Sequence, residues 1–197
     1  MNNTTGTAAV ILAAGASRRL GSPKQNLVLA GETLVERALR TAQQAGLSPG
    51  IVVLRPQGDF GHSLQQLGAQ IVLNDRADDG MASSIRLGVN VAGMMKASGV
   101  VLMTCDQVLL QPDHLRALCA HPQRITGSAY AGKVGIPAYF PAASFAYLLA
   151  LQGDIGARDL LQSASSIAND DLALDIDTAE DFDRAQSLLT NLKSSQL

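Results

Sequence analysis

Two glycines and three basic residues follow the first apolar stretch of the chain, a combination that can bind anions. Residues 8–13 are small, apolar and partly β-branched, which is typical of a buried strand. Gly15 and Gly21 come soon after it, and glycines let backbone N–H groups approach an anion closely. The cations of the same turn are Arg18, Arg19 and Lys24. Because open α/β sheets bind ligands at the carboxyl ends of their strands, this stretch predicts a polyphosphate site.

The turn does not match the two commonest phosphate-binding patterns. Gly15 and Gly21 have no third glycine in the register of Gly-x-Gly-x-x-Gly, so a dinucleotide-binding fold is not indicated. The turn also lacks the Gly-Lys-Ser or Gly-Lys-Thr of a P-loop. The alternative without a site is a glycine turn with solvated basic side chains, which is common in α/β proteins. The prediction is therefore a phosphate loop of a different kind.

Asp106 ends a second long apolar stretch, residues 99–105, which is predicted to be a central strand. Mg²⁺ binds one or two carboxylates together with phosphate oxygens and water. An aspartate at the carboxyl end of a central strand could therefore hold Mg²⁺ over phosphates. The alternative is that Asp106 caps the helix that follows near Pro112, since aspartate is a common N-cap.

The elements that must position these residues alternate between strands and helices. Thr33 and Glu36 form a capping box that opens a helix, which Gly46 closes. Further strands are predicted at 51–54, 69–73, 99–105, 124–129 and 172–177, and further helices near 63–67, 83–95, 113–119, 155–161 and 178–192. This alternation is the βαβ pattern. The predicted fold class is therefore a single Rossmann-like, three-layer α/β domain with a mostly parallel sheet.

Capping residues predict where two of these helices begin. Ser83 or Ser84 is a candidate N-cap after a polar loop, and Asp154 is a candidate N-cap for a helix that starts near Ile155. Capping is also the alternative to a binding role for these serines, because it is the ordinary use of serine at a helix start.

Composition limits the class of protein and its location. The 197 residues suffice for one domain, predicted at 8–192 between a disordered tail at 1–7 and a frayed tail at 193–197. A net charge of -2 provides no broad basic field for nucleic acid. No apolar run approaches 18 residues and the start lacks signal-peptide features, which predicts no membrane span and no secretion. Cys105 and Cys119 are expected to be reduced thiols, as in the cytoplasm.

The turn after the first strand also resembles a family signature. It reads Leu-Ala-Ala-Gly-x-Ser-x-Arg-Leu-Gly-x-x-Lys and is similar to the Leu-Ala-Ala-Gly-x-Ser-x-Arg-Met-Gly-x-x-Lys of the molybdenum cofactor cytidylyltransferase-like (MobA/MocA-like) nucleotidyltransferases, with Leu20 in place of Met. The resemblance implies a nucleotide-diphospho-sugar transferase type of fold. It also implies that the turn binds the nucleotide, through Leu12, Ala13, Ala14, Gly15, Ser17, Arg19 and Lys24.

Other segments resemble the same family. Asn74, Gly80 with Met81, and Ser84 match its Asn and Gly-Met-x-x-Ser segment, which implies contacts to the base and ribose. Residues 105–107 resemble its Cys-Asp-Gln-Pro, with Val108 in place of Pro, and imply that Asp106 binds metal.

The C-terminal segments complete the resemblance. Residues 175–181 resemble Asp-Ile-Asp-Thr-Pro-Glu-Asp, which makes Asp177 the second candidate Mg²⁺ ligand with Asp175 in reserve. The alternative is negative charge placed near a helix N-terminus, where it is favourable. Residues 132–140 and 153–161 resemble segments on the acceptor side of the cleft. Arg158 could contact an acceptor phosphate there or be an ordinary surface arginine.

The resemblance implies a nucleotidyl transfer with Lys24, Arg19 and Asp106 as catalytic residues and Mg²⁺ as cofactor. Ala14 is the residue that distinguishes cytidine from guanosine transfer in the family, so the expected reaction moves CMP from CTP to molybdopterin. A molybdenum hydroxylase apoenzyme is a candidate partner, whereas nucleic acid and membrane are not. The alternatives are a nucleotidyltransferase for a sugar or polyol phosphate and a non-catalytic molybdopterin chaperone.

Overall fold

The strands of the protein lie mainly in one seven-stranded sheet. The computed structural model describes residues 5–17, 19–56, 61–154 and 156–194. Its strands are β1 (Thr5–Leu12), β2 (Val28–Leu29), β3 (Glu32–Thr33), β4 (Gly50–Leu54), β5 (Gln70–Leu73), β6 (Ala97–Thr104), β7 (Thr126–Tyr130), β8 (Lys133–Pro141) and β9 (Ser165–Ala168). The sheet order is β5-β4-β1-β6-β8-β7-β9, while β2 and β3 pair separately.

Seven α-helices connect or flank these strands. They are α1 (Leu34–Gln44), α2 (Gly61–Gln66), α3 (Met81–Met94), α4 (Pro112–Leu118), α5 (Phe145–Leu149), α6 (Arg158–Leu161) and α7 (Ala179–Ser194) within the described part of the chain. Short 3₁₀ turns occur at Lys24–Asn26, Ala77–Asp79, Ala142–Ser144 and Asp170–Ala173.

Four neighbouring strands at the centre and one side of the sheet run parallel. β5, β4, β1 and β6 are parallel neighbours, whereas β8 pairs antiparallel with both β6 and β7. The strand that carries Asp106 at its carboxyl end, β6, is therefore the middle strand of the seven. This arrangement confirms the predicted single α/β domain with a mostly parallel sheet.

Each face of the sheet is covered by helices, which gives three layers. Along β1, Ala9 and Ile11 pack on the face covered mainly by α1, α4 and α7, while Val10 and Leu12 pack on the face covered by α3, α5 and α6. Successive side chains of a strand point to opposite faces, so a strand buried on both faces must be apolar throughout. That requirement explains the uninterrupted apolar stretches at β1 and β6.

Several predicted elements differ from those in the structure. Thr5 and Thr7 pair with Ala97 and Gly99 of β6, so the predicted disordered tail is wrong for residues 5–7. β5 is an edge strand in which Leu73 is 57% exposed, so it is not a buried strand. Residues 1–4 lie outside the described residues.

The C-terminal third also departs from the prediction. The predicted strand at 172–177 is wrong, because a 3₁₀ turn occupies Asp170–Ala173 and the edge strand is β9. The alternation of apolar and acidic residues arises because Leu172 and Ile176 anchor an irregular segment in the core. At the C-terminal end, α7 extends to Ser194, beyond residue 193, where the frayed tail was predicted to start.

The expected reduced thiols and absent membrane span can be compared with the structure. Cys105 and Cys119 are both free, and burial raises the pKa of the Cys105 thiol to about 12. Among the described helices, none combines the length and the apolar character that crossing a membrane requires.

Candidate active site

The loop after β1 folds back on itself at Ser17. Ser17 has a positive φ of 46°, and its side-chain Oγ accepts a hydrogen bond of 2.9 Å from the backbone N–H of Lys24. Gly21 also has a positive φ, 67°, a conformation in which a Cβ would be strained. Ser17 therefore holds the loop closed and sets the position of Lys24. Arg18, the third predicted cation, lies outside the described residues.

Lys24 joins two carboxylates that are far apart in the sequence. Its Nζ donates to Oδ2 of Asp106 and, at 3.0 Å, to Oδ1 of Asp177. Arg19 extends the cluster, since its Nη1 lies 3.2 Å from Oδ2 of Asp177. The structure thus brings together the four residues that are predicted to bind phosphate and metal.

Neighbouring carboxylates keep the amine of Lys24 protonated. Burial alone would lower the pKa of Lys24, but the charges and hydrogen bonds of Asp106 and Asp177 outweigh burial and raise this pKa above its usual range. Lys24 is therefore a permanent cation, and it lies between the two carboxylates.

Two carboxylate oxygens beside this cluster have no hydrogen-bond partner among the residues that the structure describes. Asp106 is 7% exposed, and its Oδ1 is buried without a partner, as is Oδ1 of Asp175. Burial, followed by the nearby charge of Asp106, raises the pKa of Asp175 to about 6. Buried polar atoms are ordinarily paired, so unpaired oxygens at this point indicate a place for a cation or a donor group.

The donor set fits a divalent cation that is shared with a substrate. No three His, Cys, Asp or Glu side chains of the described residues converge into a metal cluster. Mg²⁺, however, is ordinarily bound by one or two carboxylates with phosphate oxygens and water supplying the remainder. Asp106 and Asp177 already enclose the positive charge of Lys24, and Oδ1 of Asp106 is free to bind a second cation.

A cleft of about 400 Å³ opens at the carboxyl ends of β1, β4 and β6. Predicted site residues that line it are Leu12, Ala13, Ala14, Gly15, Lys24, Gly80, Ser84 and Asp106. The predicted site residues outside the lining are Ser17, Arg19, Asn74 and Asp177. Asp177 joins the cluster through its contact with Lys24, and Arg19 joins it through its contact with Asp177. The predicted phosphate loop and Asp106 therefore share one cavity.

Asn74 does not line the cleft but is hydrogen-bonded to Ser84, which does. It is 1% exposed, and its Nδ2 donates to Ser83 Oγ at 2.8 Å and to Ser84 Oγ at 2.9 Å. The predicted capping role of the two serines is wrong, because α3 begins at Met81 with Gly80 as N-cap and both serines lie within its first turn. Asn74 thus fixes the start of α3 against the end of β5.

The loop that begins at Gly153 closes one side of the cleft. Asp154 does not start a helix of its own, since α6 begins only at Arg158 with Ala157 as N-cap, and Ile155 lies outside the described residues. Instead, Oδ1 of Asp154 accepts from the backbone N–H of Met81 at 3.3 Å. A Cβ at Gly80 would come within 2.4 Å of the same oxygen, so only glycine fits there.

Arg55 is a cleft residue that the sequence patterns did not indicate. It follows β4, and its Nε donates to the carbonyl of Ala14 at 2.8 Å while its Nη2 contacts Asp78 Oδ1 at 2.8 Å. The available signal was a lone arginine directly after a buried strand, at the edge where the site was expected.

The predicted acceptor side is only partly connected to this cleft. Asp154 lines it, whereas Arg158 is exposed at the start of α6 and is not a lining residue. Lys133 lies outside the lining as well, with its Nζ 5.2 Å from the centroid of the Tyr130 ring.

A cleft that is lined by a glycine loop, a half-buried lysine and an aspartate, at the carboxyl ends of parallel strands, is typical of an α/β nucleotide-binding protein. Residues 9–169 match the family model described as the MobA-like NTP transferase domain. The chain therefore belongs to the MobA-like nucleotidyltransferase family, as its motifs suggested.

Two relatives and two solved structures illustrate the relationship. The chain is 36% identical to the purine catabolism protein PucB of Bacillus subtilis, over 92% of this chain and 96% of PucB. It is 26% identical to the probable molybdenum cofactor guanylyltransferase of Opitutus terrae, over 55% of this chain and 52% of that protein. Rv0371c of Mycobacterium tuberculosis is 31% identical and superimposes with a TM-score of 0.75, covering 93% of this chain and 98% of the other. A second Rv0371c structure is a complex with manganese (28% identity, TM-score 0.66, covering 93% and 98%).

Proposed function

We propose that this protein is a cytidylyltransferase that moves CMP from CTP to a phosphate of molybdopterin and releases pyrophosphate. The observation that carries the proposal is the contact of Lys24 with both Asp106 and Asp177 beside a 400 Å³ cleft. The family supports nucleotidyl transfer, and the name of the Opitutus relative supports a molybdenum cofactor substrate. We propose that the enzyme acts in the cytoplasm and delivers its product to a molybdenum hydroxylase apoenzyme.

The residues of the cleft suit a reaction between two anions. Repulsion between the attacking phosphate and the triphosphate, and the charge that develops on pyrophosphate, are the main barriers. The backbone of residues 15–17 and 19–21 would hold the triphosphate, and Lys24 and Arg19 would stabilise the departing pyrophosphate. No covalent enzyme intermediate is needed. Because the pKa of Lys24 is raised, its ammonium donates hydrogen bonds without releasing its proton.

Asp106 and Asp177 are the residues that would hold the divalent cation, which we propose is Mg²⁺. When bound, the ion would neutralise phosphate charge and orient the α-phosphate. The manganese complex of Rv0371c supports a divalent ion in a structure of this type.

The choice of CTP rests on Ala14, a cleft residue that is 4% exposed. Its methyl group narrows the cavity, which favours a pyrimidine over a purine. We expect Ala14→Gly to lower the ratio of CTP to GTP turnover by about 10-fold or more, since one methyl group contributes roughly 1 to 3 kcal/mol to discrimination. Competition between the two nucleotides measures the ratio, with Ala120→Gly, at an exposed alanine outside the cleft, as the control. A ratio unchanged in Ala14→Gly would contradict the assignment.

The decisive assay is pyrophosphate release from CTP or GTP with molybdopterin, with small sugar or polyol phosphates, and with Mg²⁺ present or chelated. We expect turnover only with CTP, molybdopterin and Mg²⁺ together. Turnover with a small phosphate instead would identify the alternative transferase. Tight molybdopterin binding without pyrophosphate release would identify a chaperone and refute catalysis.

A further inference from the structure

Gln25 is a buried polar residue that the proposed reaction does not use. It follows Lys24 in the 3₁₀ turn Lys24–Asn26 and is 3% exposed, yet it lines the cleft. Among the residues that the structure describes, none forms a hydrogen bond with its side-chain amide. The amide atoms of Gln25 are not among the fully buried atoms that lack a partner, so they face the open space of the cleft, where a bound molecule can pair with them.

The other two buried amides of the described residues, Asn74 and Gln107, each donate hydrogen bonds to protein atoms, although Oε1 of Gln107 has no partner. Asn74 donates to Ser83 and Ser84 and accepts from the backbone of Arg76. Gln107 donates to the carbonyls of Ile136 and Leu172, both at 3.3 Å. Gln25 thus differs from them both in its lack of a protein partner and in facing the cleft, which points to a ligand group as its partner.

The other side chains of the cleft indicate which part of a nucleotide this group is. Phosphates are matched by Lys24 and the loop backbone, and Ser84 is held by Asn74. Arg55 is held by Ala14 and Asp78. Gln25 and Thr104 are the remaining neutral hydrogen-bonding side chains of the lining. A neutral amide, which both donates and accepts, is complementary to a hydroxyl group, which does the same.

We propose that Gln25 is a sugar-binding residue whose amide hydrogen-bonds a ribose hydroxyl of the bound nucleotide. This inference rests on the proposed function, because it assumes that the cleft binds a nucleoside triphosphate. In its bound position the sugar lies between the phosphates, held at Lys24, and the base. Gln25 follows Lys24 directly in the chain and is therefore placed to read the sugar.

The test is equilibrium binding of CTP, 2′-deoxy-CTP and 3′-deoxy-CTP to the protein and to Gln25→Met, without acceptor. Losing one neutral hydrogen bond typically weakens binding about 3- to 10-fold. We expect Gln25→Met to weaken CTP by this factor and to bind at least one deoxy analogue as well as the unmodified protein does. Exposed Gln44, substituted as Gln44→Met, is the control and should change none of the three affinities.

Each result decides the proposal. Equal weakening of all three nucleotides by Gln25→Met, or no weakening, would overturn it. If Gln25→Met has a lowered melting temperature, Gln25→Asn replaces it, because asparagine keeps a polar but shorter side chain. Gln25→Asn should likewise lose the difference in affinity between CTP and the deoxy analogue. Failure of the unmodified protein to bind CTP or GTP would refute the proposed function, whereas nucleotide binding without hydroxyl discrimination would refute the role of Gln25 alone. If GTP binds instead of CTP, the same comparison is made with the guanosine analogues.

Discussion

Lys24 stands at the centre of the charged groups of this protein. Its ammonium is the hydrogen-bond partner of Asp106 and one of the partners of Asp177, so a single cation offsets two anions. Arg19, in contrast, is exposed, and its guanidinium contacts Oδ2 of Asp177. Exposed ion pairs of this kind contribute little to stability, so the two cations should respond differently to substitution.

We expect Lys24→Met to lower pyrophosphate release about 10²- to 10³-fold, as loss of a preorganised charge contact typically does. Removing the ammonium also leaves the buried carboxylate of Asp106 without its partner, which is destabilising. Steady-state rates and thermal melts measure both effects, with exposed Arg124→Met as the control. Wild-type turnover by a folded Lys24→Met variant would contradict the role of Lys24.

Asp106→Asn tests the second half of the cluster. The substitution preserves size but removes the charge, so we expect a loss of about 10²- to 10³-fold in turnover and a higher Mg²⁺ concentration at half-maximal rate. Titration of the rate with Mg²⁺ measures the change, and exposed Asp183→Asn is the matched control.

The same Mg²⁺ titration shows whether Asp177 or Asp175 is the second metal ligand. Asp177→Asn should shift the Mg²⁺ dependence more than Asp175→Asn if Asp177 is the second ligand, and the reverse order would make Asp175 that ligand. Full turnover by an Asp106→Ala variant at ordinary Mg²⁺ would refute the metal role of Asp106.

Among the secondary-structure elements, the hydrogen bonds that begin α7 both stabilise the helix and hold a residue of the site. α1 begins with a capping box in which Thr33 and Glu36 hydrogen-bond to each other and not to a residue of the charged cluster. α7 begins in the same way, with Thr178 and Asp181 bonded to each other's backbone N–H or side chain. Asp181 additionally accepts from the backbone N–H of Asp177 at 3.2 Å. The second box therefore also fixes a residue of the site.

These two boxes provide a matched pair of variants. We expect both Glu36→Ala and Asp181→Ala to lower the free energy of unfolding by roughly 1 kcal/mol, the typical contribution of a helix cap. Only Asp181→Ala should also lower turnover or raise the Mg²⁺ requirement, because only this cap holds the backbone of Asp177. Urea unfolding and the pyrophosphate assay measure the two effects. Equal loss of activity in both variants would show that Asp181 acts through stability alone.

At the scale of the whole molecule, one buried histidine couples the fold to pH. His114 on α4 is 9% exposed, and its Nε2 lies 2.8 Å from Ser128 Oγ, which in turn donates to the carbonyl of Pro137. Since the single hydroxyl proton goes to that carbonyl, His114 Nε2 donates to Ser128. Burial lowers the pKa of His114 below its ordinary value of 6.5.

A lowered folded-state pKa means that the unfolded chain binds the proton more readily. The contribution of neutral His114 to the free energy of unfolding is therefore fully present above pH 6.5. It is lost as the pH falls from 6.5 through the lower pKa of the folded state. We expect His114→Gln, which can keep the donor to Ser128, to lose less stability between pH 7.5 and pH 5 than the unmodified protein, by denaturant unfolding. Exposed His121→Gln should retain the full pH dependence, and an identical dependence in His114→Gln would contradict the assignment.

The sequence by itself determined the fold class and the edge of the sheet where a site would lie. Residues 8–13 and 99–105 are apolar throughout because β1 and β6 are covered on both faces, and each is followed by residues of the cleft. The capping box of Thr33 and Glu36 was equally readable, since its bonds are local. Local patterns and burial on both faces leave direct traces in the order of residues.

Only the tertiary structure decided which residues meet and which elements form in the C-terminal third. The alternation at 172–177 predicted a strand, but no sheet edge accepts it, and Leu172 and Ile176 are buried without strand pairing. The contacts of Lys24 with Asp177, of Arg55 with Ala14, and of Asp154 with Met81 span 153, 41 and 73 positions. Such contacts depend on where distant segments of the chain come together, which no local pattern encodes, so the composition of the cleft followed from the fold.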